Sequence, residues 1–235
     1  MNMNIGLDKC LTFINCQLSP TGQPPHLPAK GAPRRVVTLS RQTGSGAHTV
    51  AEKLAEYLQT RDRGATCPWT VFDRNLVEKV LEDHHLPQRL QKFMPEDRTS
   101  QIADIMDELF DLHPPSRTLV QKIAETVLHL AELGNVILVG HGAHVITGKC
   151  EHAFHVRLVG SLEKRIEHIQ EIRHLGRQAA LKFIRAEDRG RKRYLKSYFN
   201  KDIDDPLLYH LVINTDSVSY AEAARIIGDV VLSRT

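Results

Sequence analysis

The sequence predicts an α/β protein of three layers, in which about five parallel strands form a sheet flanked by helices. Apolar runs of strand length alternate along the chain with segments of helical period, which is typical of a parallel sheet covered by crossover helices. A glycine turn joins the first predicted strand to the first predicted helix. In such sheets ligands bind beyond the carboxyl ends of the strands, so the residues that follow each strand are the candidate functional residues.

Turn residues separate the apolar runs, and segments of helical period fill the gaps between them. Val50, Leu54 and Leu58 mark the apolar face of the first predicted helix. The predicted strands span residues 36–40, 69–72, 136–140, 153–159 and 211–214. The other predicted helices contain Leu76, Val77, Val80 and Leu81, then Leu119, Ile123, Val127 and Leu130, and finally residues 220–232.

The composition permits an enzyme and excludes few other classes. A chain of 235 residues that is 41% hydrophobic can bury the core of one full domain. Its formal net charge of only +3 argues against a general nucleic-acid binder. No apolar run approaches the ~20 residues of a membrane-spanning helix, and no signal peptide is apparent. We therefore expect a cytoplasmic protein without a membrane partner, and the sequence indicates no oligomeric state.

The four cysteines, at positions 10, 16, 67 and 150, show no pairing pattern. None belongs to a Cys-x-x-Cys pair, and none stands at the Cys/His spacing typical of zinc sites. Reduced thiols are the rule in the cytoplasm. The sequence therefore predicts free thiols and no structural metal.

Residues 1–33 are expected to form an N-terminal extension with a proline-rich linker, ahead of a main domain at 34–235. Between Leu7 and Leu18 apolar residues recur at helical spacing, which predicts a short helix. That helix could dock on a partner or on the body of the protein, and the second alternative is favoured. The linker would then act as a tether.

A glycine turn stands between the first predicted strand and the first predicted helix. Gly44 and Gly46 allow the backbone to turn tightly and to aim N–H groups inward, and the helix that starts near Ala47 adds the positive end of its dipole. These features favour a phosphate cradle. The alternative is that the glycines form only a tight joint between strand and helix.

The P-loop pattern would place a lysine at 47, where this chain has alanine. That lysine normally neutralises charge on the transferred phosphoryl group, so another cation must replace it. Arg41, Lys53 and His48 are the nearby candidates. Arg41 could fold back over the loop, Lys53 lies further along the helix, and His48 would be cationic only if its pKa rose.

Two further turns follow predicted strands. Asp73 can cap the next helix, or it can lie beside the phosphates or their Mg²⁺, and it could do both. His141, Gly142 and His144 belong to a second glycine turn after the third strand. Close approach of the backbone to a substrate explains its glycines better than metal binding by the histidines, because no carboxylate or cysteine follows at ligand spacing.

Basic residues outnumber acidic ones between 185 and 193. The planar guanidinium group matches phosphate oxygens, so a mobile helix with several arginines suits a clamp over a nucleotide. A solvated helix face is one alternative. A nucleic-acid surface is another, because Tyr194, Tyr198 and Phe199 follow the charged segment. Their helical spacing favours packing against the body, so nucleic acid is not an expected partner.

From about residue 35 to its end, the chain resembles the cytidylate kinase-like family, a branch of the P-loop nucleoside monophosphate kinases. Several motifs carry this resemblance together. They are Leu39-Ser40-Arg41 leading into Gly44-Ser45-Gly46, Phe72-Asp73-Arg74, Val139-Gly140-His141-Gly142-Ala143, Phe154-His155-Val156-Arg157-Leu158, Asp188-Arg189-x-Arg191, and Asp204-Asp205-Pro206-Leu207-Leu208-Tyr209 with Val212-Ile213-Asn214-Thr215.

The resemblance implies a P-loop NTPase fold and transfer of the γ-phosphoryl group of ATP, with Mg²⁺, to a nucleoside monophosphate, most directly CMP or dCMP. Residues 77–120 would bind the monophosphate, and residues 176–205 would form a lid. The implied ATP-binding residues are Thr43, Gly44, Ser45, Gly46, Ala47, His48 and Thr49. The implied acceptor-binding residues are Asp73, Arg74, His141 and Gly142, with Asp73 also a Mg²⁺ ligand. The implied catalytic residues are Arg41, Arg185, Asp188, Arg189, Arg191 and Arg193.

Two positions depart from the family pattern, which tends to have a basic residue where His48 stands and an arginine where His141 stands. With the absent loop lysine, they favour an alternative function: a nucleotide-binding sensor or partner-binding protein that lacks catalysis. The arginine-rich lid favours the kinase, because a protein that only binds needs no clamp on a transition state. A third alternative is RNA binding by residues 173–201, which would depend steeply on salt.

Overall fold

A computed structural model describes residues 12–13, 16, 34–65, 67–73, 102, 104–106, 109 and 118–234. Five strands form one parallel sheet in the order β2-β3-β1-β4-β5. The strands are β1 (Val36–Arg41), β2 (Thr70–Phe72), β3 (Val136–Val139), β4 (Ala153–Val159) and β5 (Leu211–Asn214). The predicted α/β class and all five predicted strands are confirmed, with ends that differ by one residue at β1, β2 and β3.

Helices connect the strands. They are α1 (Ala47–Arg61), α2 (Thr118–Leu133), α3 (Ala143–Ile146), α4 (Leu162–Arg173), α5 (Arg177–Phe199) and α6 (Tyr220–Ser233), with a 3₁₀ turn at Pro206–Leu208. The helices predicted from apolar spacing near residues 50, 123 and 220 correspond to α1, α2 and α6, although Leu119 in α2 is 62% exposed. None of the described helices has the length and apolarity that a membrane crossing requires.

Several sequence predictions concern residues outside the described ranges. They are the helix through Leu76 and Leu81, most of the 77–120 insert, and most of the 1–33 extension. Their assignment stays a prediction.

β1 lies at the centre of the sheet, because it pairs with β3 on one side and with β4 on the other. The register aligns Leu39 with Val139 and Arg41 with Leu158. All strands are parallel, so their carboxyl ends meet at one edge. After β1 the chain forms β2 and β3 on one side of it and then β4 and β5 on the other side. Open α/β sheets bind their ligands at such a switch point, where the strand order reverses.

The central strands are buried on both faces, as parallel sheets require. Val37 and Leu39 belong to the apolar cluster that includes α1 and α6, while Val36 belongs to the cluster that includes α2, α3 and the end of α5. Side chains alternate between faces along a strand, so the buried Thr38 and Ser40 lie on the second face. That face changes from apolar to polar toward the carboxyl edge.

α4 and α5 pack against each other around a small core of their own. The last turns of α5 join the main core, where Phe199 is buried and Tyr194 and Tyr198 pack against the same cluster. These aromatic side chains therefore pack on the body, as predicted. Most other residues of α5 are exposed, and many of the exposed ones are charged.

Cys16 and Cys67 are joined by a disulfide, so the prediction of free thiols is wrong for this pair. The bond ties the extension to the segment before β2. Phe13 is fully buried and lies edge-on to Phe72, with ring centroids 5.6 Å apart. Spacing could not predict the pairing, because the two cysteines are 51 residues apart in the sequence. Cys150 is a free, buried thiol, as predicted.

Reduction of the Cys16–Cys67 disulfide should lower the free energy of unfolding by about 2–4 kcal/mol, because the bond closes a long loop and restricts the unfolded chain. Urea unfolding with and without a phosphine reductant measures the difference. The Cys16→Ser/Cys67→Ser double variant is the control and should unfold identically in both buffers. Identical curves for the wild-type protein in both buffers would contradict the prediction.

Candidate active site

The glycine loop after β1 enters α1 through two residues with positive φ, Gly44 at 87° and Gly46 at 76°. A Cβ at Gly44 would lie 2.6 Å from the Arg165 carbonyl oxygen, and one at Gly46 would overlap the ring of Tyr220. Gly46 is also the N-cap of α1 and offers no side chain to the first turn. Only glycine therefore fits at these positions, and the helix begins without a side-chain cap.

Several backbone N–H groups of the loop and the first helical turn donate no hydrogen bond to any other described residue. They belong to Gly44, Gly46, Ala47, His48 and Thr49. Uncapped N–H groups at the positive end of a helix dipole attract anions. The local geometry is therefore that of an anion site.

Hydrogen bonds hold the loop in this shape. Ser45 Oγ donates to the Gln42 carbonyl at 2.8 Å and lies 3.3 Å from the Leu158 carbonyl. The Gln42 N–H donates to the same Leu158 carbonyl at 3.0 Å, and Gln42 Oε1 accepts from the Gly160 N–H at 3.1 Å. The loop is thus fixed to the end of β4 by the protein itself.

Asp188 of α5 joins the predicted lid to the start of the glycine loop. Its Oδ1 accepts from the Thr43 N–H, the Thr43 hydroxyl and Arg191, each at 2.8 Å, and its Oδ2 accepts from Arg165 at 2.7 Å. Arg191 also donates to Thr43 Oγ1. These contacts link loop, α4 and α5 through one carboxylate.

The environment keeps Asp188 ionised. Burial is the largest single influence and favours the neutral acid, but the bonds from Thr43, Arg165 and Arg191 together outweigh it and lower the pKa of Asp188. Four donors therefore meet a negatively charged acceptor at neutral pH.

A second network surrounds Arg157 of β4. The guanidinium donates to Ser40 Oγ at 3.1 Å and to Asp204 Oδ1 at 2.7 Å, and it lies 3.4 Å from the Tyr209 hydroxyl. Asp204 also accepts from Lys192 of α5 at 2.9 Å. Arg157 is thereby held at the carboxyl end of the central strands, and Asp204 ties α5 to it.

A cavity of about 300 Å³ lies between these two networks. Positive charge dominates its lining. The cations are Arg41, Arg157, Arg189, Arg191 and Lys192, and the carboxylates are Asp188 and Asp204. A larger cavity of about 810 Å³ includes Tyr209 in its wall but none of these arginines. The smaller cavity is the better phosphate site, because it combines this charge with a position at the carboxyl edge of the sheet.

Four of the six predicted catalytic residues line the smaller cavity. They are Arg41, Asp188, Arg189 and Arg191. Arg185 and Arg193 are exposed on α5 and do not line it, and Lys53 is exposed on α1. The guanidinium of Arg41 lies against Gly140 in the turn after β3.

His48 pairs with Asp73 beside the glycine loop, with His48 Nε2 3.0 Å from Asp73 Oδ2. The hydrogen bond that His48 donates to Asp73 is the strongest influence and raises the pKa of His48, while burial opposes the rise. The cationic form of His48 is thus favoured, as its proposed role requires. Asp73 lies beside the loop, and its expected contact with phosphates or Mg²⁺ stays a prediction. Arg74 lies outside the described residues.

Asp73 is a better candidate ligand for Mg²⁺ than Asp188. Mg²⁺ keeps several waters and takes one or two carboxylates besides phosphate oxygens. Asp188 already accepts from four donors, whereas Asp73, which pairs with His48, has an exposed fraction of 23% and a position beside the uncapped helix start.

The turn after β3 has positive φ at Gly140, His141 and Gly142. Packing of protein side chains already requires these glycines, and approach of a substrate to the backbone stays a prediction. A Cβ at Gly142 would meet Phe199 of α5 at 3.1 Å, and one at Gly140 would overlap the Arg41 guanidinium. His141 is predicted to bind the nucleoside monophosphate. Its backbone carbonyl accepts a hydrogen bond of 3.4 Å from the Tyr194 hydroxyl.

His144, the second histidine of this turn, is an interior residue. Burial lowers the pKa of His144 to about 3, so the ring is neutral. Its Nε2 lies 3.3 Å from the Tyr209 hydroxyl. The described residues hold no metal-binding group that contains His141 or His144.

Comparison with known proteins agrees with this geometry. The profile of the cytidylate kinase-like family matches residues 36–217. The chain belongs to the cytidylate kinase-like family. A curated relative, cytidylate kinase of Methanocaldococcus jannaschii, is 25% identical over 182 residues, which cover 77% of this chain and 88% of the relative.

Two solved structures resemble this member of the cytidylate kinase-like family. An uncharacterized protein from Eubacterium ventriosum superposes with a TM-score of 0.67 at 20% identity, covering 86% of this chain and 99% of that one. Shikimate kinase from Bacteroides thetaiotaomicron gives a TM-score of 0.47 at 10% identity, covering 84% and 98%. The fold is the predicted three-layer α/β fold, in which helices flank a five-stranded parallel sheet. Family membership supports a nucleotide kinase.

Sequence reasoning missed four residues of the site, namely Arg157, Arg165, Asp204 and Tyr209. Arg157 had a detectable signal, because a charged residue inside a buried parallel strand is costly unless it is paired. Arg165 had none, because α4 carries many charges and only its packing shows which one turns inward. Asp204 and Tyr209 belong to one of the motifs shared with the family, but their partner Arg157 is distant in the sequence.

The affinity for ATP should fall as the pH rises through the pKa of His48, because only the imidazolium adds positive charge beside the phosphates. Asp73 raises this pKa, so the loss should begin above the ordinary histidine value of 6.5. We expect a two- to fivefold loss, about the effect of one exposed charge at a helix N-terminus. Calorimetric titration from neutral to alkaline pH measures it. His48→Lys should show no such loss, and a wild-type curve identical to that of His48→Lys would contradict the prediction.

Asp188→Asn should lower the free energy of unfolding by about 1–2 kcal/mol, because four donors lose an ionised acceptor. This is less than the about 3–5 kcal/mol of a fully buried pair, since the Asp188 side chain is 31% exposed. Urea unfolding measures the loss. The matched control is Glu187→Gln, which removes the exposed pair with Arg191 and should cost less than about 0.5 kcal/mol. Equal losses in the two variants would disprove a special role for Asp188.

Proposed function

We propose that this protein transfers the γ-phosphoryl group of ATP, as its Mg²⁺ complex, to a nucleoside monophosphate, with CMP or dCMP as the acceptor. The observation that carries the proposal is the cavity lined by five cations beside a glycine loop whose N–H groups donate to no residue that the structure describes. Phosphoryl transfer asks the protein for positioning and charge compensation rather than for covalent chemistry. This arrangement suits both tasks.

The triphosphate would lie along residues 43–49. The loop N–H groups and the α1 dipole would bind its oxygens, and Gly44 and Gly46 would let them approach the backbone. Mg²⁺ would neutralise part of the phosphate charge, and Asp73 would hold the ion directly or through water.

Arginines would replace the absent loop lysine. Ala47 is buried and carries no charge, so compensation must come from side chains around the cavity. Arg157 and Arg191 are both held there by carboxylates, and guanidinium groups stay charged at any physiological pH. His48 would add a pH-dependent charge at the start of α1.

α5 would act as the lid. Asp188 links it to the glycine loop and to Arg165 of α4, so the cavity can be covered and water kept from the phosphoryl group. A nucleotide-binding protein without catalysis is the second candidate, and Ala47 in place of lysine is the observation that favours it.

The acceptor would bind beside Asp73, Arg74, His141 and Gly142. The family and the curated relative named cytidylate kinase support a cytosine nucleotide. A cytoplasmic location is also proposed, although the Cys16–Cys67 disulfide weighs against it, because disulfides persist mainly in oxidising compartments.

A coupled ADP-release assay tests the proposal with MgATP and a panel of CMP, dCMP, UMP, AMP and GMP. We expect the highest kcat/KM for CMP or dCMP. Arg189→Ala should lower kcat by about 10- to 1000-fold, the range expected for one charge contact made in the transition state. Arg177→Ala is the matched control, because Arg177 is an exposed arginine of the same helix that pairs with Glu163 away from the cavity.

One outcome would overturn the kinase activity, and another would overturn the role of Arg189 in the lid. Binding of ATP without turnover on any acceptor would favour the non-catalytic nucleotide binder. Equal kcat in Arg189→Ala and Arg177→Ala would show that the lid arginine does not act in the reaction.

A further inference from the structure

Three side chains with metal-binding atoms meet at the amino edge of the sheet, opposite the glycine loop. Glu132 lies in the last turn of α2, while Cys150 and His152 precede β4. A carboxylate oxygen, the thiol sulfur and one ring nitrogen lie within 4.8 Å of one another. The strands separate this cluster from the cationic cavity, so the proposed phosphoryl transfer gives it no role.

The Glu132 carboxylate stands in an unusual place for an acid. It is only 10% exposed and lies at the negative end of the α2 dipole, so it requires a compensating positive charge. Arg34 binds Glu132 Oε2 at 2.7 Å. The second oxygen, Oε1, lies 4.0 Å from His152 Nε2, which is too long for a hydrogen bond. The two oxygens thus face different neighbours, and Oε1 is the one near His152.

The donor set is that of zinc. Thiolate, imidazole and carboxylate are its usual protein ligands, whereas Mg²⁺ and Ca²⁺ require mostly oxygen, of which this cluster offers one carboxylate. His152 Nε2 lies 3.2 Å from the Ala131 carbonyl. A carbonyl can only accept, so Nε2 carries the proton in this structure. Nε2 is also the ring nitrogen that lies 4.0 Å from Glu132 Oε1, so His152 would bind zinc through Nε2 as the tautomer protonated on Nδ1 and would give up its bond to the carbonyl.

The distances are compatible with a tetrahedral site after a small movement. Zinc–sulfur and zinc–nitrogen bond lengths place the ligand atoms of a tetrahedral site about 3.3–3.8 Å apart. The three atoms here lie within 4.8 Å of one another, so each pair would close by at most about 1.5 Å, which rotations of the side chains can supply. Cys150 and His152 flank a single residue just before β4, so the backbone already holds two ligands together.

We propose that Glu132, Cys150 and His152 form a zinc site with three protein ligands that ties the end of α2 to the start of β4. On binding, the Cys150 thiol becomes a thiolate and releases its proton to the solvent, and water completes the four ligands. Arg34 stays on Oε2 and orients the carboxylate from outside the metal shell.

Metal content of the full chain, prepared without a histidine tag, tests the proposal. After incubation with zinc chloride and gel filtration, the wild-type protein should retain about one zinc ion per chain by elemental analysis. Cys150→Ser and His152→Ala should each lower the zinc affinity by at least about 100-fold. His174→Ala, which removes an exposed imidazole at the end of α4, is the matched control and should bind zinc like the wild type. Circular dichroism reports whether each variant folds.

Cobalt(II) provides a readout on the wild-type protein that does not depend on the folding of any variant. A thiolate ligand gives cobalt a charge-transfer band in the near ultraviolet, and added zinc should remove that band. A folded wild-type protein that binds neither metal would overturn the proposal. So would Cys150→Ser that retains zinc as well as the wild type does.

Discussion

The absence of side chains at Gly44 and Gly46 is the constraint on which the rest of the candidate site depends. The Arg165 carbonyl and the Tyr220 ring occupy the space that a Cβ would need. α4 and α6 can therefore pack against the loop only because it is bare backbone there. The same glycines leave α1 without a side-chain cap, so one close approach both positions two helices and exposes the N–H donors that bind anions.

Two carboxylates make the cationic cavity possible in the absence of a ligand. Guanidinium and ammonium groups at such short range would repel one another. Asp188 accepts from Arg165 of α4 and Arg191 of α5, while Asp204 accepts from Arg157 of β4 and Lys192 of α5. Each carboxylate thus joins one cation of the body to one cation of the lid helix. The ion pairs that balance the charge of the cavity therefore also hold α5 in position.

The two edges of the sheet have opposite electrostatic preferences. α1 and α4 begin at the carboxyl edge, and the positive ends of their dipoles favour anions there. α2 ends at the amino edge, where its negative end favours cations such as Arg34 or a metal ion. A parallel sheet with crossover helices imposes this polarity on every such protein, and here each edge carries side chains that match it.

The sequence by itself determined the local structure and the family. Apolar period predicted the five strands together with α1, α2 and α6, and Gly44 and Gly46 predicted the turn, because side-chain alternation and turn conformation depend on neighbours a few residues away. Only the tertiary structure decided which charges meet. Thr43 and Asp188 are 145 residues apart, and the Cys16–Cys67 bond and the cluster of Glu132, Cys150 and His152 are equally non-local. Sheet register and the packing of α4 and α5 set these contacts, and neither leaves a periodic signal in the chain.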